Sequence, residues 1–449
     1  MDKSPAIHIT GIAGVGMSAL AEAAQYQGYH VTGSDRYLDQ GQQIERLDII
    51  RHRGIRTFPQ DGSGIHRKLQ AVVISSAIEP DNPDLLAAQK HAVPVIHRAT
   101  FLQKLIRYRQ VIAVTGTSGK TTVTGMIGWM LAKMGADPLV INGDAVPAWK
   151  TASCTGSVHN GSGPAVIEAD ESDRSCLSFY PRQAVITNIS ADHFDIQESI
   201  ALFAQFVQQV KDTVFCGKSA YALLDKQGLD VKAQLVQGQV DNPSFYKVPV
   251  PGKHNIENAM LAVSVCLSLG YTPAEVHAAL ASFPGILRRL QVLGNMGGIT
   301  VIDDYAHNPA KIAASWKAVA EQHPRILGIW RPHGFGPLAA MKDELIQTWK
   351  TCARPGDRIF ILPVYYAGGT TKQKVSSRDL VKALQKQQLN AEFMADYSIL
   401  QNVLFAVAAP GDAILIMGAR DPELPCFAKK IAHLNADGKF TANPPVAEP

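Results

Sequence analysis

Short apolar runs recur along the chain, each breaking into a glycine-rich or polar turn and then into a stretch with apolar residues at helical spacing. Such runs, rich in Val, Ile and Ala, predict buried strands of parallel sheets, and the stretches after them predict the covering helices. In the first hundred residues the strands fall at 6–10, 30–35, 71–77 and 94–98, with helices at 17–27 and 101–108. The next group has strands at 111–115, 164–168 and 184–188, with helices at 123–131 and 259–269. A last group has strands at 298–302, 325–330, 358–362 and 412–417, with a helix at 310–321. Phe283-Pro-Gly285 punctuates the chain before that group. The pattern predicts an α/β protein of three domains: a Rossmann-like domain over 1–110, a central P-loop ATPase-like domain over 111–285, and a C-terminal Rossmann-like domain over 286–449.

The strand ends carry the chemistry. Val111–Thr115 runs into Gly116-Thr117-Ser118-Gly119-Lys120-Thr121-Thr122 and then a helix, the arrangement of a phosphate cradle. Gly116 and Gly119 let backbone N–H groups turn toward an anion. Lys120 can reach the outer phosphates of a nucleoside triphosphate, and the Thr121 hydroxyl can ligate Mg²⁺. The Gly-x-x-Gly-Lys-Thr spacing is shorter than the usual form, and its bland alternative is an ordinary turn with a surface lysine. In the first domain, Gly11, Gly14 and Gly16 follow a strand, and Asp35 ends the next one, where it can meet a ribose or a base. The order G-x-x-G-x-G points away from a standard dinucleotide. Ser75 and Ser76 end the third strand, on the edge where such sheets bind ligands.

Glu168, Asp170, Glu171 and Asp173 crowd four carboxylates into six residues at one strand exit. They are either a solvated acidic turn or, after a P-loop, the source of a carboxylate for Mg²⁺. His193 closes the following strand segment and taken alone reads as a packing or surface histidine. Asn255 and Asn258 precede the helix at 259–269 and are candidates for capping it or for touching a ligand.

Composition narrows the setting. A net charge of +4 with no basic arm gives no reason to expect nucleic acid. No apolar run reaches the length of a membrane span, and no apolar segment follows a basic start, so a cytoplasmic protein is expected. The six cysteines are scattered without C-x-x-C pairs, which fits a reducing compartment.

These motifs together resemble the Mur ligase family, the ATP-dependent amide-forming enzymes of peptidoglycan assembly, and most closely its alanine-adding type. The likeness is carried by Gly11–Ser18, Val73–Ile78, Gly116–Thr122, Glu168–Asp173, Asn188–His193, Gly252–Asn255, Arg288–Gln291 and Asp303–His307. Asp192–Gln197 is also similar to the ligase that recycles murein tripeptide. The resemblance implies that Gly14, Gly16, Met17, Ser18, Asp35, Ser75 and Ser76 hold a UDP-sugar. It implies ATP on Gly116 to Thr122, with Asn255 and Asn258 at the adenine, Arg289 at the phosphates and Asp304 at the ribose. Thr121, Glu168 and His193 become metal candidates, with Glu168 preferred over Glu171 for its place at the strand end. Lys120, Glu168, His193 and Arg289 carry catalysis, and Tyr305, His307 and His333 line the amine site.

The partners implied are small molecules alone (a UDP-sugar acid, ATP, an amino acid or short peptide) for a monomer or homodimer. Three positions differ from the alanine-adding pattern: Ser118 replaces a histidine, Asn308 follows His307 in place of a second histidine, and Gly334-Phe-Gly-Pro337 replaces a segment that carries arginines. A different amine or a peptide therefore stays open, as does a plain P-loop ATPase or kinase. The first lysine beyond His193 is Lys211, too far along to match the lysine that some of the later-acting ligases carboxylate.

Overall fold

The structure is a computed structural model and describes residues 4–41, 44–190, 194–229, 232–366 and 375–433. It divides into two compact units. The first takes in the chain to Pro249 together with His254–Leu287, and the second Val250–Lys253 with the chain from Arg288.

Unit one holds two large sheets. The first is all parallel, in the order Arg56–Phe58, His30–Ser34, Ala6–Thr10, Ala71–Ile74, Val95–His97. Its order reverses beside Ala6–Thr10, and a crevice opens at such a point because the two connections leave toward opposite faces. The second sheet runs Val158–His159, Leu139–Ile141, Ala165–Glu168, Val111–Thr115, Gln183–Ile186, Thr213–Cys216, Gln234–Gln237, parallel except for its first strand. Its central strand, Val111–Thr115, is buried along its whole length and leads to the P-loop. One apolar cluster, from Ile7 and Ile9 through Phe101 to Ala113, Ile167 and Phe203, runs through both sheets.

Polar contacts tie the two sheets as well. Glu22 is almost fully buried, and its carboxylate accepts from the Thr155 N–H (3.0 Å) and hydroxyl (2.8 Å) while facing Arg53 at 3.6 Å. Arg53 also donates to the Ser153 carbonyl and lies 4.0 Å over the Tyr26 ring.

Unit two has one mixed sheet in the order Gln291–Met296, Ile299–Asp304, Ala413–Gly418, Ile326–Arg331, Arg358–Ile361, Ala391–Phe393. Only the Gln291–Met296 edge is antiparallel. Both faces are covered, one by a cluster built on Trp316, Trp330 and Trp349 and the other by one built on Ile329, Phe360 and Leu400.

Most predicted strands appear within a residue or two of their expected ends, but several helices begin earlier, two of them taking in candidate ATP residues. Lys120–Lys133 starts at the P-loop lysine itself, and Lys253–Ser268 starts six residues before the predicted 259. In both, the first turn is polar, so apolar periodicity misses it. Asn255 and Asn258 therefore sit inside a helix and not at its N-cap, which corrects the capping expectation.

Candidate active site

The turn after Val111–Thr115 needs both its glycines. Gly116 and Gly119 have φ of +124° and +86°, the region that side chains rarely adopt. Space is closed as well: a Cβ on Gly116 would lie 2.2 Å from the Thr187 hydroxyl, and one on Gly119 2.6 Å from the Asn258 side-chain oxygen. The turn is braced by the segment after the neighbouring strand Gln183–Ile186. Thr117 N–H donates to the Asn188 carbonyl (3.1 Å), Ser118 N–H to the Asn188 side-chain oxygen (3.0 Å), and the Thr187 hydroxyl to the Ser118 carbonyl (2.6 Å). The helix N-terminus that follows leaves its first N–H groups without intrahelical acceptors, aimed at the mouth of the turn.

Lys120 bends back across this mouth. Its ammonium donates to the Gly116 carbonyl at 2.9 Å and pairs with Glu171 at 2.6 Å. Burial alone would push its pKa down, but the charges of Glu171 and Glu168 reverse that and raise it, so the lysine stays cationic. Of the two glutamates, Glu171 is the carboxylate in contact with Lys120, and Glu168 acts on it through charge.

The four carboxylates are divided among several donors, with Arg98 shared by two of them. Glu168 accepts from the Gly143 N–H (2.9 Å), Asp170 from Ser172 and Arg98, and Asp173 from Arg98 (2.8 Å) and the Ser175 N–H (3.0 Å). One oxygen of Glu171 is buried with no hydrogen-bond partner. Among the described residues no three His, Cys, Asp or Glu side chains converge as a ready-made metal cluster. Thr121 is buried at the start of the helix. His193, the third metal candidate, lies outside the described residues, as does Asp192.

Arg98 belongs to the first sheet's half of the unit, at the start of the helix Arg98–Ile106. It connects the acidic exit to the opening glycine turn, since a Cβ on Gly16 would stand 3.3 Å from its guanidinium. Gly16, Arg98, Asn142, Gly143, Glu168 and Asp170 line one cleft of about 200 Å³. The opening glycine turn and the acidic strand exit, far apart in the chain, therefore share one cleft. A larger cavity, about 460 Å³, lies at the other end of the second sheet beside Arg109, Val111 and Gln183, away from this chemistry.

The remaining first-sheet candidates divide. Gly14 is the N-cap of Val15–Tyr26, and Met17 and Ser18 are buried in its first turn. Ser75 is half-buried and Ser76 exposed after Ala71–Ile74. Asp35 is buried, and its oxygens accept from the Ala13 N–H (2.8 Å) and the Tyr37 N–H (3.1 Å). As placed, that acid braces the glycine turn and caps a short helix.

In unit two, Asp304 accepts from Leu290 N–H, Ala306 N–H and the Ser315 hydroxyl, so it fixes the turn that carries Arg289. The Arg289 Nε is buried without a hydrogen-bond partner, and its guanidinium lies 5.6 Å from the Tyr305 ring centre. The three amine-site candidates come together: the His307 ring is 5.4 Å from Tyr305 and 5.1 Å from His333, both edge-on. Burial, helped by Lys311, pushes His307 down to about 4, and burial with Arg420 lowers His333. His307 Nδ1 faces the Tyr305 carbonyl at 3.0 Å. A carbonyl only accepts, so this neutral imidazole carries its proton on Nδ1 and presents a lone pair at Nε2.

Residues missed from sequence include Arg98, Glu22 and Asn142. The last is buried at the cleft, with both amide atoms unpartnered. An Asn-Gly pair closing an apolar run was its only signal.

Comparison with known proteins identifies the family. Residues 6–110 match the "Mur ligase family, catalytic domain", 114–206 the "Mur ligase middle domain" and 288–420 the "Mur ligase, glutamate ligase domain". The UDP-N-acetylmuramate–L-alanine ligase of Synechococcus sp. (strain JA-3-3Ab) is 34% identical, over 93% of this chain and 84% of its own. That of Rhizobium johnstonii is 33% identical over 92% and 93%. Among solved structures, the UDP-N-acetylmuramate-alanine ligase of Thermotoga maritima superposes with a TM-score of 0.75 at 25% identity, over 95% of this chain and 97% of that one. The murein peptide ligase of Psychrobacter arcticus shares the fold, with a TM-score of 0.65 at 21% identity over 98% and 100%. The chain belongs to the Mur ligase family and is an ATP-dependent ligase.

Proposed function

We propose that this enzyme joins the amino group of L-alanine to the carboxylate of UDP-N-acetylmuramate, in the cytoplasm, as a step of peptidoglycan precursor synthesis. The observation that carries the reading is the shared cleft, in which the Gly16 turn of the first sheet and Glu168 of the second face one space, the Glu168 charge acting also on Lys120. A UDP-sugar on the first sheet (Gly14, Gly16, Met17, Ser18, Ser75 and Ser76, with Asp35 behind them) would present its acid toward a triphosphate on the P-loop. Similarity to two alanine ligases at 33–34% identity supports the choice of substrates.

A carboxylate is a poor electrophile, and transfer of a phosphoryl group to one of its oxygens makes that oxygen a leaving group. The carboxylate oxygen attacks the γ-phosphorus, the bond to ADP breaks, and an acyl phosphate remains. The amine nitrogen then attacks the acyl carbon, and the tetrahedral adduct expels phosphate. Lys120 exchanges Glu171 for the phosphates and offsets the repulsion between two anions. Asn258, packed on Gly119, and Asn255 are assigned to the nucleotide with Arg289 and Asp304. His307 Nε2, which carries the lone pair, is assigned the proton the amine loses.

The donor set fits Mg²⁺, which takes one or two carboxylates and completes its shell with phosphate oxygens and water. Thr121 and Glu168 would hold it, with His193 as a third candidate, and the buried, unpartnered Glu171 oxygen is available nearby. When bound, the ion neutralises charge on the transferring phosphoryl.

The test is ADP release with each substrate omitted in turn. Dependence on both UDP-N-acetylmuramate and L-alanine is expected. A kinase would need no amine and an ATPase neither substrate, so release in their absence would overturn the proposal.

A further inference from the structure

An amino acid enters this site as a zwitterion, so a site that ligates it needs a cation for its carboxylate as well as an acceptor for its amino group. The segment after His333, Gly334-Phe-Gly-Pro337, offers no cation. The neighbouring strand does. Ile326–Arg331 and Ala413–Gly418 pair in parallel, with Arg331 opposite Gly418. His333 and Arg420 each stand two residues past that pair, on adjacent loops at the same end of the sheet.

The Arg420 loop is held from both sides. Arg288 donates to the carbonyls of Gly418 and Ala419, fixing the backbone just before Arg420. The acid next to it, Asp421, is buried and used elsewhere: it accepts from the Tyr397 hydroxyl (2.5 Å) and the Glu423 N–H (2.9 Å) and faces Arg331 at 3.3 Å. Asp421 therefore does not neutralise Arg420. Arg420 is exposed, has no hydrogen-bond or ion-pair partner among the described residues, and acts electrostatically on His333. Beside it, His333 Nδ1 is buried and unpartnered, and the His307 ring stands 5.1 Å away. Arg420 thus stands, uncompensated, at the end of the sheet that carries His333, and its charge is felt by that imidazole.

We propose that Arg420 is the specificity residue for the incoming amino acid, its guanidinium taking the substrate carboxylate as a bidentate pair while His307 and His333 face the amino group. This rests on the ligase reaction proposed above. It assigns to the loop after Ala413–Gly418 a task that the segment after His333 has no charge to perform.

The experiment compares L-alanine with L-alaninamide, which keeps the amine and lacks the negative charge, in wild type, Arg420→Ala and Arg420→Lys. Wild type is expected to favour L-alanine over the amide by about 100-fold in kcat/KM, the scale of a charge-assisted bidentate contact. Arg420→Ala should raise the KM for L-alanine by about that factor, leave kcat within about threefold, and erase the preference over the amide. Arg420→Lys should recover part of it, since it restores charge without the fork. KM values for ATP and UDP-N-acetylmuramate should not move, which also verifies that the variants are folded. If Arg420→Ala ligates L-alanine with an unchanged KM and an unchanged preference, Arg420 is not the carboxylate site and the ligase reading stands. If wild type ligates neither amine, both proposals fall.

Discussion

Gly119→Ala probes the junction on which nucleotide binding depends. The added methyl meets two obstacles that can be sized separately. The first is the backbone, because φ of +86° costs a residue with a Cβ about 1–2 kcal/mol. The second is Asn258, whose side-chain oxygen and nitrogen would lie 2.6 and 3.1 Å from the methyl, well inside ordinary contact. Asn258 must turn away, leaving its rotamer at about 0.5–1.5 kcal/mol and giving up its 3.3 Å hydrogen bond to Asn255, worth about 1 kcal/mol.

The whole amounts to about 3–4 kcal/mol against the ATP-ready turn, of which about 2 kcal/mol comes through Asn258. Calorimetric ATP affinity is the assay, with each 1.4 kcal/mol read as about tenfold in Kd. Gly119→Ala should weaken ATP by 100-fold or more, roughly. In a double-mutant cycle with Asn258→Ala the clash has no partner, so the pair should be about 1–2 kcal/mol less damaging than the sum of the singles. Additive effects would refute the claim that Asn258 packs on the phosphate turn.

Other outcomes follow from the same geometry. Lys120→Met should lower kcat by about 10³-fold or more while UDP-N-acetylmuramate binding, followed by calorimetry, is kept; loss of both would contradict the separation of the two turns. Glu22→Ala leaves the Thr155 groups and Arg53 without their buried acceptor, and urea unfolding of the first unit should lose about 3–5 kcal/mol; a loss under about 1 kcal/mol would deny it a role in joining the two sheets. His307, held at about 4 in the folded protein against an ordinary 6.5, leaves the unfolded chain binding the extra proton between those values, so stability falls as pH drops through that window. Asp303, raised to about 6 by burial against the pull of Arg288, works the other way, gaining stability as pH falls from about 6 toward 3.8. The wild-type minus His307→Gln difference isolates the histidine and should reach about 3 kcal/mol at the acid end. An NMR titration placing His307 near 6.5 would contradict this.

The framework was legible because its signals are local. A buried parallel strand is a run of apolar residues, a phosphate turn needs glycines, and both fit within a dozen positions. Hence Val111–Thr115, Ala165–Glu168 and Ala413–Gly418 were found with their polar exits. What escaped depends on contacts that periodicity does not encode. Arg98 meets Asp173 across 75 residues and Glu22 meets Thr155 across 133, and neither arginine nor glutamate stands out in its own helix. That Glu171 meets Lys120 depends on side-chain reach past a strand end, where alternation no longer says which way a residue points. Asp35 has the spacing for a ribose contact, and the bonds its oxygens accept from the Ala13 and Tyr37 N–H groups could not be read from that spacing. The start of Lys253–Ser268 was hidden because Lys253, His254 and Asn255 give it no apolar stripe.

The central claim is that the acid is activated through its own oxygen, and isotope transfer tests it most directly. UDP-N-acetylmuramate labelled with ¹⁸O in both carboxylate oxygens is turned over with ATP and L-alanine in unlabelled water, and the phosphate is analysed by mass. Attack of the carboxylate on the γ-phosphorus followed by capture with nitrogen moves one labelled oxygen into each phosphate released and leaves the other in the amide. Phosphate free of label, with amide still formed, would show that no acyl phosphate lies on the path.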